Sequence, residues 1–138
     1  MFRIRRVYDD ITPANKEAIE QVPGILEPRF PGLLKRDIAR LPEGIDGGRY
    51  RAILQEALRR VARFGPGFLV VPLGLDTARE DQTGTWSLEA EDFEAVGEMI
   101  GLLHFPTLVV QEGGYDTRVL GVNARHFFTG LWNGAYGA

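Results

Sequence analysis

Two short apolar runs constrain this chain more than anything else in it: Phe68-Leu69-Val70-Val71 and Thr107-Leu108-Val109-Val110. Each follows a segment with helical periodicity, and a third such segment follows the second run. Tyr50, Ile53, Leu54, Ala57, Leu58 and Val61 make one apolar stripe, with Arg49, Arg51, Arg59, Arg60 and Arg63 mostly off it. Phe93, Val96, Ile100 and Leu103 share a face of the second helix, and Leu120, Ala124, Phe127 and Leu131 share a face of the third. Continuous apolar strands alternating with helices through short loops imply parallel pairing, right-handed crossovers and strands covered on both faces. Residues 49–132 are therefore expected to run helix–strand–helix–strand–helix. The class is α/β, a partial parallel sheet with helices on both faces.

Composition narrows the function. The 138 residues are 44% hydrophobic and 25% charged, as in an ordinary globular protein. The absence of cysteine excludes disulfides, thiolate zinc sites and cysteine nucleophiles, and fits a cytoplasmic setting. His104 and His126 are too few for a histidine-rich metal site within one chain. No apolar run approaches the roughly 20 residues of a membrane span, and the charged, alternating start lacks a signal-peptide core. Neither membrane attachment nor secretion is expected. Residues 1–65 hold 13 Lys+Arg against 9 Asp+Glu, whereas residues 66–138 hold 3 against 10. Arg3, Arg5 and Arg6 are too sparse a basic run to form a nucleic-acid arm.

Ahead of the alternating segment the pattern is weaker. Residues 2–8 read as a strand carrying Phe2 and Ile4. Thr12-Pro13 opens a helix with Ala18, Ile19 and Val22, which Pro23-Gly24 ends. The stretch to Gly48 contains Pro28, Pro31 and Pro42, and only Leu33 to Leu41 looks helical. It is the natural junction. Pro72, inside the first apolar run, is expected to forfeit a ladder hydrogen bond, so Pro72→Ser should raise the melting temperature. With only two or three strands and uncovered edges, the core is small, and self-association or low monomer stability is expected.

In such sheets, chemistry sits in loops beyond the carboxyl ends of the strands. Two loops leave strands that way, at Leu75-Asp76-Thr77 and at Gln111-Glu112-Gly113-Gly114-Tyr115. Asp76 could ligate a divalent metal or orient a base, or serve only as a loop or cap carboxylate. Tyr115, after two glycines, could donate a hydrogen bond to a developing oxyanion, or pack over the sheet edge. Gly113-Gly114 alone is no phosphate-binding loop.

The ordered series is more specific than either loop. Leu73-Gly74-Leu75-Asp76-Thr77, Asp81, Asp92-Phe93-x-x-Val96-Gly97, Pro106-Thr107-Leu108-Val109-Val110, Glu112-Gly113-Gly114-Tyr115 and Leu120-Gly121-x-Asn123 follow one another. Over residues 42–132 this series resembles the C-terminal part of the histone deacetylase and acetylpolyamine amidohydrolase family. The resemblance implies a fragment of the arginase/deacetylase-type three-layer fold. It implies zinc held by two Asp and one His, and hydrolysis of acetyl-lysine or acetylpolyamine amides. Asp76 matches the family's last metal-binding aspartate, and Tyr115 the tyrosine that stabilises the oxyanion.

The departures bear on activity. The family also uses an Asp-x-His ligand pair and a tandem His-His acid/base pair, and neither occurs in this sequence. His104 and His126 fall at places without a catalytic counterpart, so both should be structural. Gly67 stands where the family commonly has Asp. Residues 1–41, a strand and helices, resemble the start of the acetyltransferase domain that precedes some bacterial deacetylase domains, and residues 42–138 the end of the deacetylase domain. The expectation is a truncated family member, inactive as an isolated chain, and zinc is not expected to bind stably. The alternative is a non-catalytic interaction module, or a split subunit to which a partner chain adds the missing strands and ligands.

Overall fold

The computed structural model describes residues 43–137. The strand and helices read before Pro42, and the division at residue 41, lie outside the described residues. Helix α1 spans Gly47–Phe64, strand β1 Leu69–Leu73, helix α2 Ala90–Gly101, strand β2 Thr107–Gln111 and helix α3 Thr117–Tyr136. This is the expected order, and β1 and β2 pair in parallel with Leu69 opposite Thr107 and Leu73 opposite Gln111.

Local chemistry sets the helix ends. Asp46 accepts from Arg49 N–H at 2.8 Å and caps α1, and Gly65, at φ 64°, closes it with an N–H to the Val61 carbonyl. Asp92 accepts from Glu89 N–H at 2.9 Å at the start of α2 and also pairs with Arg51 of α1. Asp116 caps α3 by accepting from Arg118 N–H at 3.0 Å.

The core lies on one face of the sheet. Leu69, Val71 and Leu73 are buried against Tyr50, Leu54 and Leu58 of α1, Phe93, Val96 and Ile100 of α2, and Phe127 of α3. The alternation of β1 sends Val70 to the other face, where its register partner Leu108, and Val110, also point. These three are 47%, 59% and 45% exposed, so nothing among the described residues covers that face.

Pro72 needs a correction. Leu69 N–H donates to the Pro106 carbonyl and Leu75 N–H to Gly113, so odd-numbered residues face β2. The position of Pro72 turns its missing N–H away from β2. A proline on that side costs no bond in this pair, and the gain expected from Pro72→Ser has no source in it.

Helices α2 and α3 pack through glycines. A Cβ on Gly97 would lie 2.1 Å from the Phe127 carbonyl oxygen, and one on Gly130 1.9 Å from that of Glu94. Gly101 and Gly134 repeat the contact one turn on, with 2.4 Å to the Leu131 oxygen and 2.3 Å to that of Glu98. Backbone therefore meets backbone along this crossing.

Candidate functional site

Parallel pairing brings the two strand-end loops to the same edge of the sheet. The ladder continues past the strands: Glu112 N–H donates to Leu73 O and Leu75 N–H to Gly113 O, both at 2.8 Å. Asp76 and Tyr115 thus leave neighbouring strand ends on one side of the sheet, as the alternation required.

Asp76 is 2% exposed and caps none of the three helices. Its carboxylate lies under the second loop. A Cβ on Gly113 would sit 2.5 Å from Asp76 Oδ1, and one on Gly74 2.6 Å from it. Glycine at both positions keeps that side of the carboxylate clear of side chain. The loop after Asp76 then folds back, bringing Gly84 against the Asp76 backbone carbonyl, where any Cβ would clash at 1.7 Å. A small cleft of about 140 Å³ opens beside Asp76, walled by Thr77, Thr83, Thr85 and Trp86.

Tyr115 is 64% exposed. It borders a wider cleft of about 470 Å³ with Asp81, Thr83, Asp116 and Arg118. Arg118 forks both oxygens of Asp116 at 3.0 and 2.6 Å. Its side-chain bonds, with its backbone N–H, hold the Asp116 carboxyl at about 2, so the cleft wall stays ionised.

The residue whose part the sequence reading left unassigned is Asp81. It is 4% exposed and accepts from Tyr115 N–H at 2.5 Å and Asp116 N–H at 3.1 Å. Thr83 donates to its other oxygen from both backbone and hydroxyl, at 2.9 and 2.7 Å. Burial pushes this carboxyl up, but the donors outweigh it and hold it below the usual aspartate value. The Asp-x-Thr spacing signals a local turn. No local signal reaches the bonds to Tyr115 and Asp116, which span more than thirty positions.

The histidines sit elsewhere. His104 adopts φ 55° just past α2, and His126 Nδ1 meets Glu94 Oε2 at 2.6 Å between α3 and α2. A larger groove of about 710 Å³ lies at the amino end of β2, between Pro106 and Trp132. It is mostly apolar and lies away from the strand-end carboxylates.

Zinc would suit Asp76 by donor type, since a carboxylate oxygen is an ordinary zinc ligand. The donor count does not suit it. Catalytic zinc takes three protein ligands, and no group of three or more His, Asp or Glu side chains converges among the described residues. This set alone does not amount to a zinc site.

Comparison with known proteins covers this same segment. The sequence profile of the histone deacetylase domain matches residues 36–131. An acetylpolyamine amidohydrolase of Burkholderia pseudomallei is 39% identical over 91 residues, 66% of this chain and 27% of that protein. Acetylpolyamine amidohydrolase 1 of Pseudomonas aeruginosa is 37% identical over 90 residues, 65% of this chain and 26% of that protein. The crystal structure of the acetylpolyamine aminohydrolase from B. pseudomallei superposes with a TM-score of 0.66 at 37% identity, over 68% of this chain and 28% of that one. The HDA15 HD domain superposes with a TM-score of 0.58 at 27% identity, over 63% of this chain and 25% of that one. The chain spans about a quarter of the length of these relatives.

Proposed function

Because this chain belongs to the histone deacetylase family, we propose that its strand-end loops are part of a deacetylase active site, with Asp76 as a metal-binding carboxylate and Tyr115 as the oxyanion donor. The observation that carries the reading is the joining of the two loops, through Leu75 and Gly113 and through Asp81 and Tyr115. It sets a buried carboxylate and an exposed phenol on neighbouring strand ends. A phenol there can donate to the oxygen on which charge develops when an amide carbonyl is attacked. Zinc, when bound in this family, supplies the Lewis acid for that carbonyl. The substrate class is an acetylated amine, the side chain of acetyl-lysine or an acetylpolyamine.

The polypeptide on its own carries a portion of that site. It has no Asp-x-His and no His-His, so it brings one of three expected zinc ligands and no histidine base. Without the other ligands and the base, metal anchorage and water activation are both lost. Purified chain is expected to hold no stoichiometric zinc and to leave acetyl-lysine peptide and acetylpolyamine uncut. Hydrolysis that needs zinc and disappears in Asp76→Ala would mean that the chain completes the site from its own residues.

A second reading follows from the exposed face at Val70, Leu108 and Val110. An apolar sheet face of this kind favours association, with a second copy or with a chain that adds strands to the sheet. In size-exclusion chromatography with light scattering, the purified chain is expected above its monomer mass of 15.4 kDa. Leu108→Lys should return it toward that mass. A monodisperse wild-type monomer would reject this reading.

A further inference from the structure

We propose that Asp81 is the positioning residue for Tyr115, gripping the tyrosine's backbone from the loop that carries Asp76 and so fixing where the phenol is presented. The proposal rests on the reading of Tyr115 as the oxyanion donor. The chain approaches Tyr115 through Gly113 and Gly114, the latter at φ 131°, a conformation that L side chains rarely adopt. Two glycines leave a backbone loose unless something outside holds it. Asp81 Oδ2 does so by accepting from two consecutive amides, those of Tyr115 and Asp116. Bonds from backbone N–H to a buried carboxylate are charge-assisted and stronger than neutral ones.

Thr83 holds the other Asp81 oxygen, so the carboxylate plane is fixed from both sides. Asp116 in turn caps α3 with its side chain. The grip therefore fixes the tyrosine between a glycine turn and a helix start. With the backbone fixed, only side-chain rotamers remain for the phenol, a small set of directions. Asp76 and Asp81 lie on one loop, so a single segment sets the positions of the metal carboxylate and of the oxyanion donor. Misplacement by about 1 Å costs a positioned group much of its effect. Asp81 reaches Tyr115 through its backbone and is not placed on the reacting atoms.

The test is residue-resolved amide hydrogen exchange on the full chain, with fluorotyrosine resonances as a second readout. In the wild type, the Tyr115 and Asp116 amides should exchange at least roughly tenfold slower than random coil, although Tyr115 is a surface residue. Asp81→Ala should abolish that protection and move the Tyr115 fluorine signal. The amides of Leu75 and Glu112, which bond across the strand ends, should keep theirs. Asp81→Asn, which retains one acceptor oxygen, should restore part of the protection. Random-coil exchange at Tyr115 in the wild type overturns the proposal, and that measurement stands even if Asp81→Ala fails to fold. Loss of protection at Leu75 and Glu112 together with Tyr115 would also overturn it, by making Asp81 a general support of the fold. None of these readouts uses hydrolysis, so their failure is separable from the failure of the deacetylase reading.

Discussion

Gly130→Ala is expected to lower stability by about 2 kcal/mol or more, within the range for overpacking a tight contact. Helix propensity alone predicts the reverse, since alanine inside a helix is favoured over glycine by about 1 kcal/mol. The packing decides. The added Cβ would lie 1.9 Å from the Glu94 carbonyl oxygen and 2.7 Å from its carbon. Both are backbone atoms of α2, so no side chain can swing aside. The helices must separate, which loosens the matching contact at Gly97 and exposes Phe127 and Ile100. Gly121→Ala is the control on the same helix, because a Cβ there meets nothing within 4 Å. That variant should gain up to about 1 kcal/mol. Thermal melts of the two should move in opposite directions, the first down by roughly 10 °C at the usual 4–8 °C per kcal/mol for a small domain. A rise in both would mean that α2 and α3 do not approach through these glycines.

The parts of this fold visible in sequence were those written in local periodicity. The stripe from Tyr50 to Leu58 and the runs at Leu69 and Thr107 gave element order and parallel pairing, since continuous apolar strands with helical crossovers admit little else. What is absent from local pattern is what side chains meet across the fold. Gly97 and Gly101, and Gly130 and Gly134, each stand four apart, a spacing that marks one face of a helix. Their spacing could have indicated a close crossing, but glycine in a helical segment is read first as a weakness. Pro72 illustrates the opposite limit. Whether its missing N–H matters depends on which way the strand turns it, and that is fixed by register with β2.

The candidate site divides in the same way. Asp76 and Tyr115 were readable because topology alone sends both to one sheet edge. Asp81 was not, because the loop from Asp76 to Ser87 looks merely solvated. In the fold that loop buries Thr77, Ala78 and Asp81, and Leu88 just beyond it, and Arg79 N–H and Leu88 N–H close it by bonding to the Leu88 and Thr77 carbonyls. The loop mixes exposed residues, Arg79, Glu80, Gln82, Thr83 and Thr85, with buried, internally bonded ones, and composition does not separate the two.

The second large effect is expected at Asp76 and Tyr115 themselves, and it needs a context that supplies the ligands this polypeptide lacks. The context is a chimera in which residues 42–132 are put in place of the matching segment of the Burkholderia pseudomallei relative, 39% identical over 91 residues. On the proposed role of Tyr115 as oxyanion donor, Tyr115→Phe in that chimera is expected to cost about 10²–10³ in kcat, the usual loss for one such donor. On the proposed role of Asp76 as a metal-binding carboxylate, Asp76→Ala should lower zinc content together with activity. Tyr115→Phe should leave zinc content unchanged, which separates the two roles.

The most direct measurement is therefore kcat for hydrolysis of an acetylated amine by this chimera, with bound zinc determined on the same samples. The expected result is a zinc-containing, active chimera, in which Tyr115→Phe loses turnover but keeps zinc and Asp76→Ala loses both. A chimera whose turnover and zinc content are unchanged by either substitution would contradict the assignment of these two loops to a deacetylase site.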